Sequence, residues 1–482
     1  MERYISFFKI LMIVLVLSTY SCSDFFSPDT ETLLLEENSY KDYLSSRAAV
    51  NGLYSQLQPL MTAYVVAGEL RGDQLTITAN AGPDIVDIYE LNVSPNNQYL
   101  VYRQAYGVIA SCNDVFTQLG ILQAKGTTYD EELDNMIGET VLLRSWVYFY
   151  LMRTYGETPY ITESFQANGS DISYTEWIDQ QAGEKLTAGH LITDITNVIP
   201  LLDPDKITGS GFFNLSSGYA MLGEIYLWED QYDNAVTALQ QSIATGGNSR
   251  FILDKDLENS KWQNIFKGDE SATDEIMTKV NFDKAEKQEN DLMPIFSSIA
   301  PDGNQLVPVS RVITALTGSN RFNGTFKNGN EVGKYTRSLE DPYTSDMPVI
   351  LYRAADVHLM LSEAFNRLGA TNVALDLLNN GSDSLFTAGS KGIRGRVALP
   401  PVTVTGDSDE EIMVNLENLI LEVRGRELAF EGKRWFDILR IGKRRNDPAF
   451  IGNAVMRRFS APDSTFIQDY FSDPNNWYLP TN

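Results

Sequence analysis

Apolar residues recur three and four positions apart through most of the chain, which is the spacing of one face of an α-helix. The first such pattern begins at Tyr40 and continues through Val50 and Leu53, and Pro59 is expected to end this helix. The same spacing predicts helices at 98–122, 131–154, 185–202, 214–230, 232–245, 352–368, 371–380, 409–432 and 434–442. Strand patterns are few and short, so the pattern predicts a fold dominated by α-helices.

Segment 141–155, VLLRSWVYFYLMRTY, is apolar or aromatic almost all the way round. A helix with this composition is expected to be buried among other helices, in a fold of several layers. The helices are separated by long passages rich in Gly, Asn and Asp, which are 68–97, 156–173, 246–350 and 382–408. Passages of this length usually carry function or small additional elements, so we expect small β elements in them.

Two predicted helical pairs share the residue spacing of a tetratricopeptide repeat, in which small residues let two antiparallel helices approach. The first pair carries Leu222, Gly223, Tyr226, Ala235 and Leu239, and the second carries Leu361, Ser362, Phe365, Ala374 and Leu378. The pairs lie much farther apart than the ~34 residues of a tandem array. The spacing therefore predicts scattered repeat-like pairs with insertions, and chance similarity between ordinary amphipathic hairpins is the alternative.

The amino terminus has the pattern of an export signal. Arg3 and Lys9 precede the apolar run 10–17, which is shorter than the ~20 residues that a membrane-spanning helix needs. We therefore predict a lipoprotein signal peptide at 1–21, lipidation at Cys22, a lipidated tether at 22–37 and a single folded domain at 38–482. An ordinary secretory cleavage site is the alternative at Cys22.

Composition and charge exclude several functions. The formal net charge of −26 disfavours nucleic acid as a partner, because phosphate binding needs clustered Lys and Arg. His190 and His358 are the two histidines, so common zinc sites and histidine-based catalysis have few residues available. No nucleotide, hydrolase-elbow or metalloprotease motif is present, and no metal or cofactor is expected. A carboxylate pair for glycoside hydrolysis leaves no sequence motif, so that activity stays open.

The stretch 421–440, LEVRGRELAFEGKRWFDILR, interleaves charged and aromatic residues. Helical spacing predicts four local ion pairs, which are Glu422–Arg426, Arg424–Glu427, Glu431–Arg434 and Asp437–Arg440. Gly432 is expected to kink or break the helix. Charges interleaved with aromatic residues usually form partly buried networks, so we predict a structural rather than a catalytic role.

The chain resembles the SusD/RagB family of outer-membrane nutrient-binding lipoproteins. RGRELAFEGKRWFDILRIGK is similar to the family's C-terminal motif, and Cys22 corresponds to its lipoprotein start. Further similar segments are RSWVYFYLMRTYGETPY, LITDITNVIPLL, AMLGEIYLWEDQYDNAVTAL, LYRAADVHLMLSEAFNRLG, GIRGRVALP and the closing NWYLPTN. These segments span nearly the whole chain after Cys22. The lipid-attachment signal departs from the usual pattern at Thr19 and Tyr20, and NNGSDSLFTAGSKG looks like an insertion.

The resemblance implies an all-α dominated SusD-like fold with tetratricopeptide-like helical pairs and long loop insertions. It also implies a lipid-anchored, surface-exposed protein of the cell outer membrane that caps a TonB-dependent SusC-like transporter. Such a protein delivers oligosaccharides, or in RagB-like members peptides, and performs no catalysis. A glycoside hydrolase and a pure interaction scaffold are the alternatives from other functional classes.

Ligand residues are not given by a family motif, so they are predicted from the chemistry of sugar binding. Sugar rings pack on exposed aromatic rings, and Asn, Asp and Arg bind the hydroxyl groups. A shallow aromatic site in the 68–97 and 246–350 passages is therefore expected, although ordinary loop packing is the alternative for each residue. The predicted ligand-binding residues are Arg71, Asp73, Tyr89, Asn92, Asn96, Trp262, Arg321 and Phe322.

Overall fold

The computed structural model describes residue 40 and residues 42–165, 174–180, 183–204, 211–245, 259–267, 275–283, 285–298, 303–319, 321–335, 346–380, 392–397 and 399–481. The predicted signal peptide, Cys22 and the tether lie outside the described residues. Residues 50–482 group into one compact unit. Among the described helices, none is long and apolar enough to cross a membrane.

The described part of the chain is dominated by helices. They are α1 Tyr43–Glu69, α2 Pro83–Tyr89, α3 Tyr102–Lys125, α4 Asp130–Tyr155, α5 Tyr174–Gln180, α6 Ala188–Val198, α7 Leu215–Trp228, α8 Tyr232–Ala244, α9 Asn259–Phe266, α10 Leu292–Phe296, α11 Ser310–Leu316, α12 Phe322–Thr325, α13 Ala354–Arg367, α14 Thr371–Asn379, α15 Asp409–Glu427, α16 Arg434–Arg445, α17 Pro448–Met456 and α18 Ser464–Ser472. The helical fold class is confirmed, and the ten helices expected from apolar spacing are each present.

Two predicted helix ends are wrong. Helix α1 passes through Pro59 and continues to Glu69. A proline inside a helix costs about 3 kcal/mol, but Leu60, Met61 and Tyr64 directly after it are fully buried, and their burial offsets that cost. Helix α15 ends at Glu427 instead of residue 432, because Phe430 and Gly432 both adopt positive φ angles that a right-handed helix excludes.

Helix α4 forms the centre of the N-terminal helical layer. Apart from Met152, every residue of its 141–155 segment is buried, which confirms the prediction of a helix covered on all sides. It packs against α3 and α6. Gly156, with φ +77°, ends α4 and turns the chain towards the next segment.

The two repeat-like pairs are present and lie next to each other. Helix α7 packs on α8, helix α13 packs on α14, and α13 also packs on α8. A Cβ at Gly223 would lie 2.5 Å from side-chain carbons of Leu239, so glycine is needed for the close approach of α7 and α8. In the second pair, the Ser362 hydroxyl donates to the Ala374 carbonyl oxygen at 2.8 Å. Pairs that are distant in sequence therefore form one helical stack.

The long passages carry small antiparallel sheets, as expected. The strands are β1 Leu75–Ile77, β2 Ile276–Val280, β3 Leu306–Pro308, β4 Phe326–Lys327, β5 Glu331–Val332 and β6 Val349–Arg353. Strand β1 pairs with β3, β2 with β6 and β4 with β5. The β1–β3 register sets Leu75 opposite Pro308 and Ile77 opposite Leu306, which joins the 68–97 and 246–350 passages.

Candidate functional site

The first half of the charged stretch forms buried ion pairs with distant segments. Glu427 accepts from Arg353 at 3.1 Å and also contacts Arg396, while Glu431 contacts Arg353 at 2.8 Å and Lys334 at 2.6 Å. Each of these side chains is at most 5% exposed. The network therefore ties α15 to β6 and to the segments around residues 334 and 396.

The second half continues the network in the same way. Arg424 pairs with Asp356 and Asp437, each at 2.9 Å, and Arg434 pairs with Asp73 at 2.7 Å. Arg440 pairs with Glu363 at 2.7 Å. Together with the contacts of Glu427 and Glu431, these pairs join α15 and α16 to β6, to α13, to Asp73 and to the segments around residues 334 and 396.

Of the four predicted local ion pairs, Asp437–Arg440 is confirmed, at 3.0 Å. The other three are wrong, because Arg424, Glu427, Glu431 and Arg434 pair with charges on other elements and Glu422 pairs with Arg457 at 3.5 Å. Helical spacing indicates which charges share a face, but burial of the helix determines which partners they meet.

Burial and opposite charge act against each other on the pKa values of this network. Burial would raise the pKa of Glu427, but Arg396, Arg321 and Arg353 hold it well below its usual range. Burial also acts to raise the pKa of Asp356, and Lys433 and Arg424 lower that pKa to about 2. Both carboxyl groups are therefore ionised near neutral pH and serve as fixed charges within the fold.

Arg71 and Asp73, which the sequence predicts to bind the ligand, lie inside the protein. Arg71 is 4% exposed, donates from Nη2 to the Trp477 carbonyl oxygen at 2.7 Å, and stacks 4.2 Å above the Trp435 ring. Asp73 is fully buried and pairs with Arg434 and with Arg311 at 2.6 Å. Both side chains are held inside the protein, where the turn at Gly72 and Asp73 lies against Arg434 of α16.

Tyr89 and Trp262 are buried, although exposed aromatic rings were expected, and Arg321 is buried as well. The Tyr89 hydroxyl donates to the Arg458 carbonyl oxygen at 3.1 Å. Trp262 lies in an apolar cluster, and the Arg321 guanidinium stacks 3.9 Å above its ring. Residues of α9, together with Met347 and Ile350, form this apolar cluster, which the sequence pattern did not indicate.

Asn92 and Asn96 are exposed, and Phe322 is half-buried against Phe326 at a ring-centroid distance of 5.2 Å. Their role in ligand binding stays a prediction. The two passages that carry them are in contact, because Thr78 donates from its hydroxyl to the Asn304 carbonyl oxygen at 2.6 Å. Asn80 in addition donates to the Gly303 carbonyl oxygen at 3.0 Å.

A groove of about 600 Å³ lies elsewhere, at the C-terminal end of α4. This volume falls within the roughly 300 to 1,000 Å³ that is usual for small-molecule sites. The groove is bordered by the start of α6, the end of α7, α16 and the C-terminal segment. Its lining residues are Met152, Tyr155, Gly156, Glu157, Leu186, Thr187, Ala188, Trp228, Glu229, Lys443, Asn475, Tyr478, Leu479 and Thr481.

Local backbone interactions fix the shape of the groove. The Leu479 amide donates to the Thr154 carbonyl oxygen at 2.8 Å and holds the C-terminal segment against α4. The Tyr478 ring lies over Gly156, where a Cβ would be only 3.1 Å from the ring. Thr187 caps α6 by accepting from the His190 amide, so the groove ends at the amino terminus of that helix.

The groove combines aromatic rings with charged groups. Trp228 and Tyr155 are each 5% exposed and form its floor, whereas Tyr478 is half-buried. Lys443 Nζ lies 5.1 Å from the centre of the Trp228 ring. Glu157 pairs with Lys185 at 2.7 Å in a solvent-exposed contact at the rim. Apolar ring surface beside charged hydrogen-bonding groups is the arrangement that binds the two kinds of surface on a sugar.

Sequence reasoning missed the groove, because its residues come from five separate parts of the chain. Trp228 and the closing NWYLPTN were noted only as parts of larger patterns. Within the described ranges, no group of three or more His, Cys, Asp or Glu could hold a metal ion.

Comparison with known proteins identifies the fold. A model of the SusD family matches residues 299–481, and a second model, described as starch-binding associating with outer membrane, matches residues 34–227. The SusD-like protein P38 of Formosa agariphila is 22% identical over 473 residues, with 88% of each chain covered.

Solved structures give the same result. A putative sugar binding protein from Bacteroides vulgatus has a TM-score of 0.66 at 19% identity, covering 84% of this chain and 88% of the other. A structure described as a laminarin binding SusD-like protein has a TM-score of 0.63 at 19% identity, covering 88% and 95%. The solved structures share the fold, and the two family models, which match residues 34–227 and 299–481, show that the chain belongs to the SusD/RagB family.

Proposed function

We propose that this protein captures oligosaccharides at the cell surface and passes them unbroken to a TonB-dependent SusC-like transporter in the outer membrane. Family membership supports a binding role, and two structural neighbours are described as sugar binding and laminarin binding. The description of the second family model supports association with the outer membrane.

The amino terminus supports attachment to that membrane. Residues 1–21 act as a lipoprotein signal peptide, Cys22 carries the lipid, and residues 22–37 tether the folded domain of residues 38–482. A single acyl chain binds membranes weakly, so a stable attachment needs more than one chain on Cys22. The groove is then free to receive a soluble glycan outside the cell.

The observation that carries the proposal is the groove at the end of α4. Its aromatic rings offer flat apolar surface to the C–H faces of a sugar, and Tyr478 is the most accessible of them. Glu157, Glu229 and Lys443 provide acceptors and donors for hydroxyl groups around those rings. The sugar is therefore held by contacts at several points, without a bond being broken.

Two aromatic-to-alanine substitutions test whether the sugar binds in the groove. Tyr478→Ala removes the accessible ring, and we expect a loss of affinity of about 5- to 140-fold, because stacking on an aromatic side chain contributes about 1–3 kcal/mol. Phe466→Ala is the matched control, since Phe466 is 48% exposed on α18 and does not line the groove. Affinity is measured by calorimetry with the glycan that binds best on an oligosaccharide and peptide array.

The residues predicted from sequence form the second arm of the same experiment. If Tyr478→Ala and the wild type bind the glycan with equal affinity, the groove is not the sugar-binding site. A loss of affinity in Asn92→Ala, Asn96→Ala or Phe322→Ala instead would place the sugar on the 68–97 and 246–350 passages. If the protein binds only peptides on the array, its cargo is peptide, as in RagB-like proteins.

A further inference from the structure

Two charged side chains that line the groove at α4 are not paired with other described residues. Lys443 lies in the last turn of α16, and Glu229 is the cap residue at the C-terminal end of α7. Both side chains are exposed, and no described residue forms a hydrogen bond or an ion pair with either charged group. The Lys443 ammonium and the Glu229 carboxylate can therefore both reach a molecule in the groove.

The third charged residue of the lining is balanced by a partner. The Glu157 carboxylate pairs with Lys185 Nζ at 2.7 Å, so these two side chains together carry no net charge. Beyond this pair, the lining contributes one carboxylate, from Glu229, and one ammonium group, from Lys443. The groove therefore offers a ligand one negative and one positive group, without an excess of either sign.

The two unpaired groups lie at the same aromatic ring. Lys443 Nζ is 5.1 Å from the centre of the Trp228 ring, and Glu229 directly follows Trp228 in the chain. A hydroxyl group donates one hydrogen bond and accepts others, whereas an ammonium group only donates and a carboxylate only accepts. Neighbouring hydroxyl groups of one sugar therefore match both side chains at once.

A charged sugar fits this pair of side chains less well. Lys443 attracts a carboxylate on the ligand while Glu229 repels it, and an amino group on the ligand experiences the reverse. The attraction is also weak, because water screens ion pairs between exposed groups. It does not offset the cost of removing the ligand's charge from water, whereas an uncharged hydroxyl exchanges its bonds with water for bonds to charged groups.

We propose that Lys443 and Glu229 are specificity-determining residues that select uncharged oligosaccharides over acidic and amino sugars. This inference rests on the proposed binding of oligosaccharides in the groove. One hydroxyl accepts from Lys443 Nζ, a neighbouring hydroxyl donates to the Glu229 carboxylate, and a C–H face of the glycan lies on the Tyr478 ring. Tyr478 contributes a contact that all sugars share, and the two charged residues determine which sugars bind.

Three matched glycans test the selection. They are the best-binding glycan of the array and two derivatives of the same length, one with a carboxylate in place of a hydroxymethyl group and one with an amino group in place of a hydroxyl. Calorimetry with the full-length protein is carried out at constant ionic strength and at a pH at which both derivatives are charged. The wild type should bind the uncharged glycan about threefold more tightly than either derivative.

Two charge-removing variants should each gain affinity for one derivative. Lys443→Gln should bind the amino derivative about threefold more tightly than the wild type does, because the like charge is removed. Glu229→Gln should bind the carboxylate derivative about threefold more tightly for the same reason. A gain of affinity cannot come from misfolding, and the amide of glutamine still forms hydrogen bonds with hydroxyl groups.

Lys125→Gln and Glu131→Gln are the matched controls. Lys125 lies in the last turn of α3 and Glu131 in the first turn of α4, so both exposed residues are at the opposite end of α4 from the groove. Both variants should leave the three affinities unchanged. Equal shifts in the controls would show that the preference follows the net charge of the protein, and the proposal would be wrong.

Tyr478→Ala distinguishes a failure of this inference from a failure of the proposed binding site. If Tyr478→Ala weakens binding of all three glycans but neither charge variant changes the preference, sugars bind in the groove and the selection by charge is wrong. If Tyr478→Ala changes no affinity, the groove is not the binding site and both proposals fail. An acidic or amino glycan as the best binder of the array, or tighter binding of a zwitterionic dipeptide than of the uncharged glycan, would also overturn the selection.

Discussion

At the scale of the residue, burial changes the chemistry of individual groups more than their neighbours in sequence do. His358 is fully buried in α13, and its Nδ1 lies 2.6 Å from the Ala354 carbonyl oxygen. Because a carbonyl oxygen only accepts, Nδ1 carries the ring proton. Cys112 is buried as well, and burial raises the pKa of its thiol to about 12, so this thiol is unreactive near neutral pH.

His358 should make stability depend on pH. Burial lowers its pKa from 6.5 to about 3, so between these values the unfolded chain binds a proton that the folded protein does not. The free energy of unfolding therefore falls as pH falls from 6.5 towards 3. Relative to His358→Gln, the wild type should lose about 1.4 kcal/mol per pH unit in this window. Denaturant unfolding of both proteins at pH 6, 5 and 4 measures this difference, and parallel curves would contradict it.

Single residues also show what the sequence could and could not predict. The sequence indicates that Asn92 and Asn96 are polar loop residues, and they are exposed. It does not show that Trp262 is fully buried, because α9 is short and its neighbours in sequence are polar. The burial of Trp262 depends on contacts with residues such as Met347, which are distant in the chain.

At the scale of the element, helices were predictable and the contacts between them were not. The apolar spacing of 141–155 and of the two repeat-like pairs is local information, and it predicted α4, α7, α8, α13 and α14. Ion pairs between α15 and β6 join residues far apart in sequence, so local spacing gave the wrong partners for Glu427 and Glu431. The groove at α4 was missed for the same reason.

The buried network should be costly to interrupt. Glu427→Ala leaves Arg353 and Arg396 without one of their carboxylates, and removal of one partner of a buried pair costs about 3–5 kcal/mol. Glu422→Ala is the control on the same helix, because Glu422 pairs with Arg457 at the surface, where the cost is about 0–1 kcal/mol. Chemical denaturation of both variants gives the two values. Similar losses would show that the network does not stabilise α15.

Replacement of two helical glycines by alanine should change the stability of the protein in opposite directions. Gly223→Ala places a Cβ 2.5 Å from Leu239 and should lower stability by about 1–3 kcal/mol through overpacking. Gly107→Ala in α3 meets no atom within 4 Å and should raise stability by up to about 1 kcal/mol through helix propensity. Thermal unfolding distinguishes them, and stabilisation by Gly223→Ala would contradict the close approach of α7 and α8.

At the scale of the whole molecule, the family assignment could be predicted from sequence because its segments are spread along nearly the whole chain. The position of the proposed ligand site could not be predicted, since the groove is assembled from five separate parts of the chain and no fixed ligand motif is present. The proposed function combines two parts that were inferred separately, which are attachment at Cys22 and sugar binding in the groove.

Attachment can be tested without any ligand. Cys22→Ala should abolish incorporation of a labelled fatty acid and release the protein from the outer-membrane fraction, because Cys22 is the predicted site of lipid attachment. Immunoblots of fractionated cells measure the release. Equal labelling of wild type and Cys22→Ala would show that Cys22 is not acylated.

The partner can be tested by co-purification. Full-length protein captured from detergent-solubilised outer membrane should retain a TonB-dependent transporter, identified by mass spectrometry. Capture of the Cys22→Ala variant serves as the control for non-specific recovery. Failure to recover such a transporter with the wild type would argue against delivery to a SusC-like partner.

The central claim is reversible binding of an oligosaccharide without cleavage. Calorimetric titration of the wild-type protein with the preferred oligosaccharide, followed by chromatography of the titrated mixture, tests it most directly. We expect saturable binding and recovery of the oligosaccharide at its original length. Shortened products would show an enzyme instead, and the absence of heat with every glycan and peptide would contradict a nutrient-binding function.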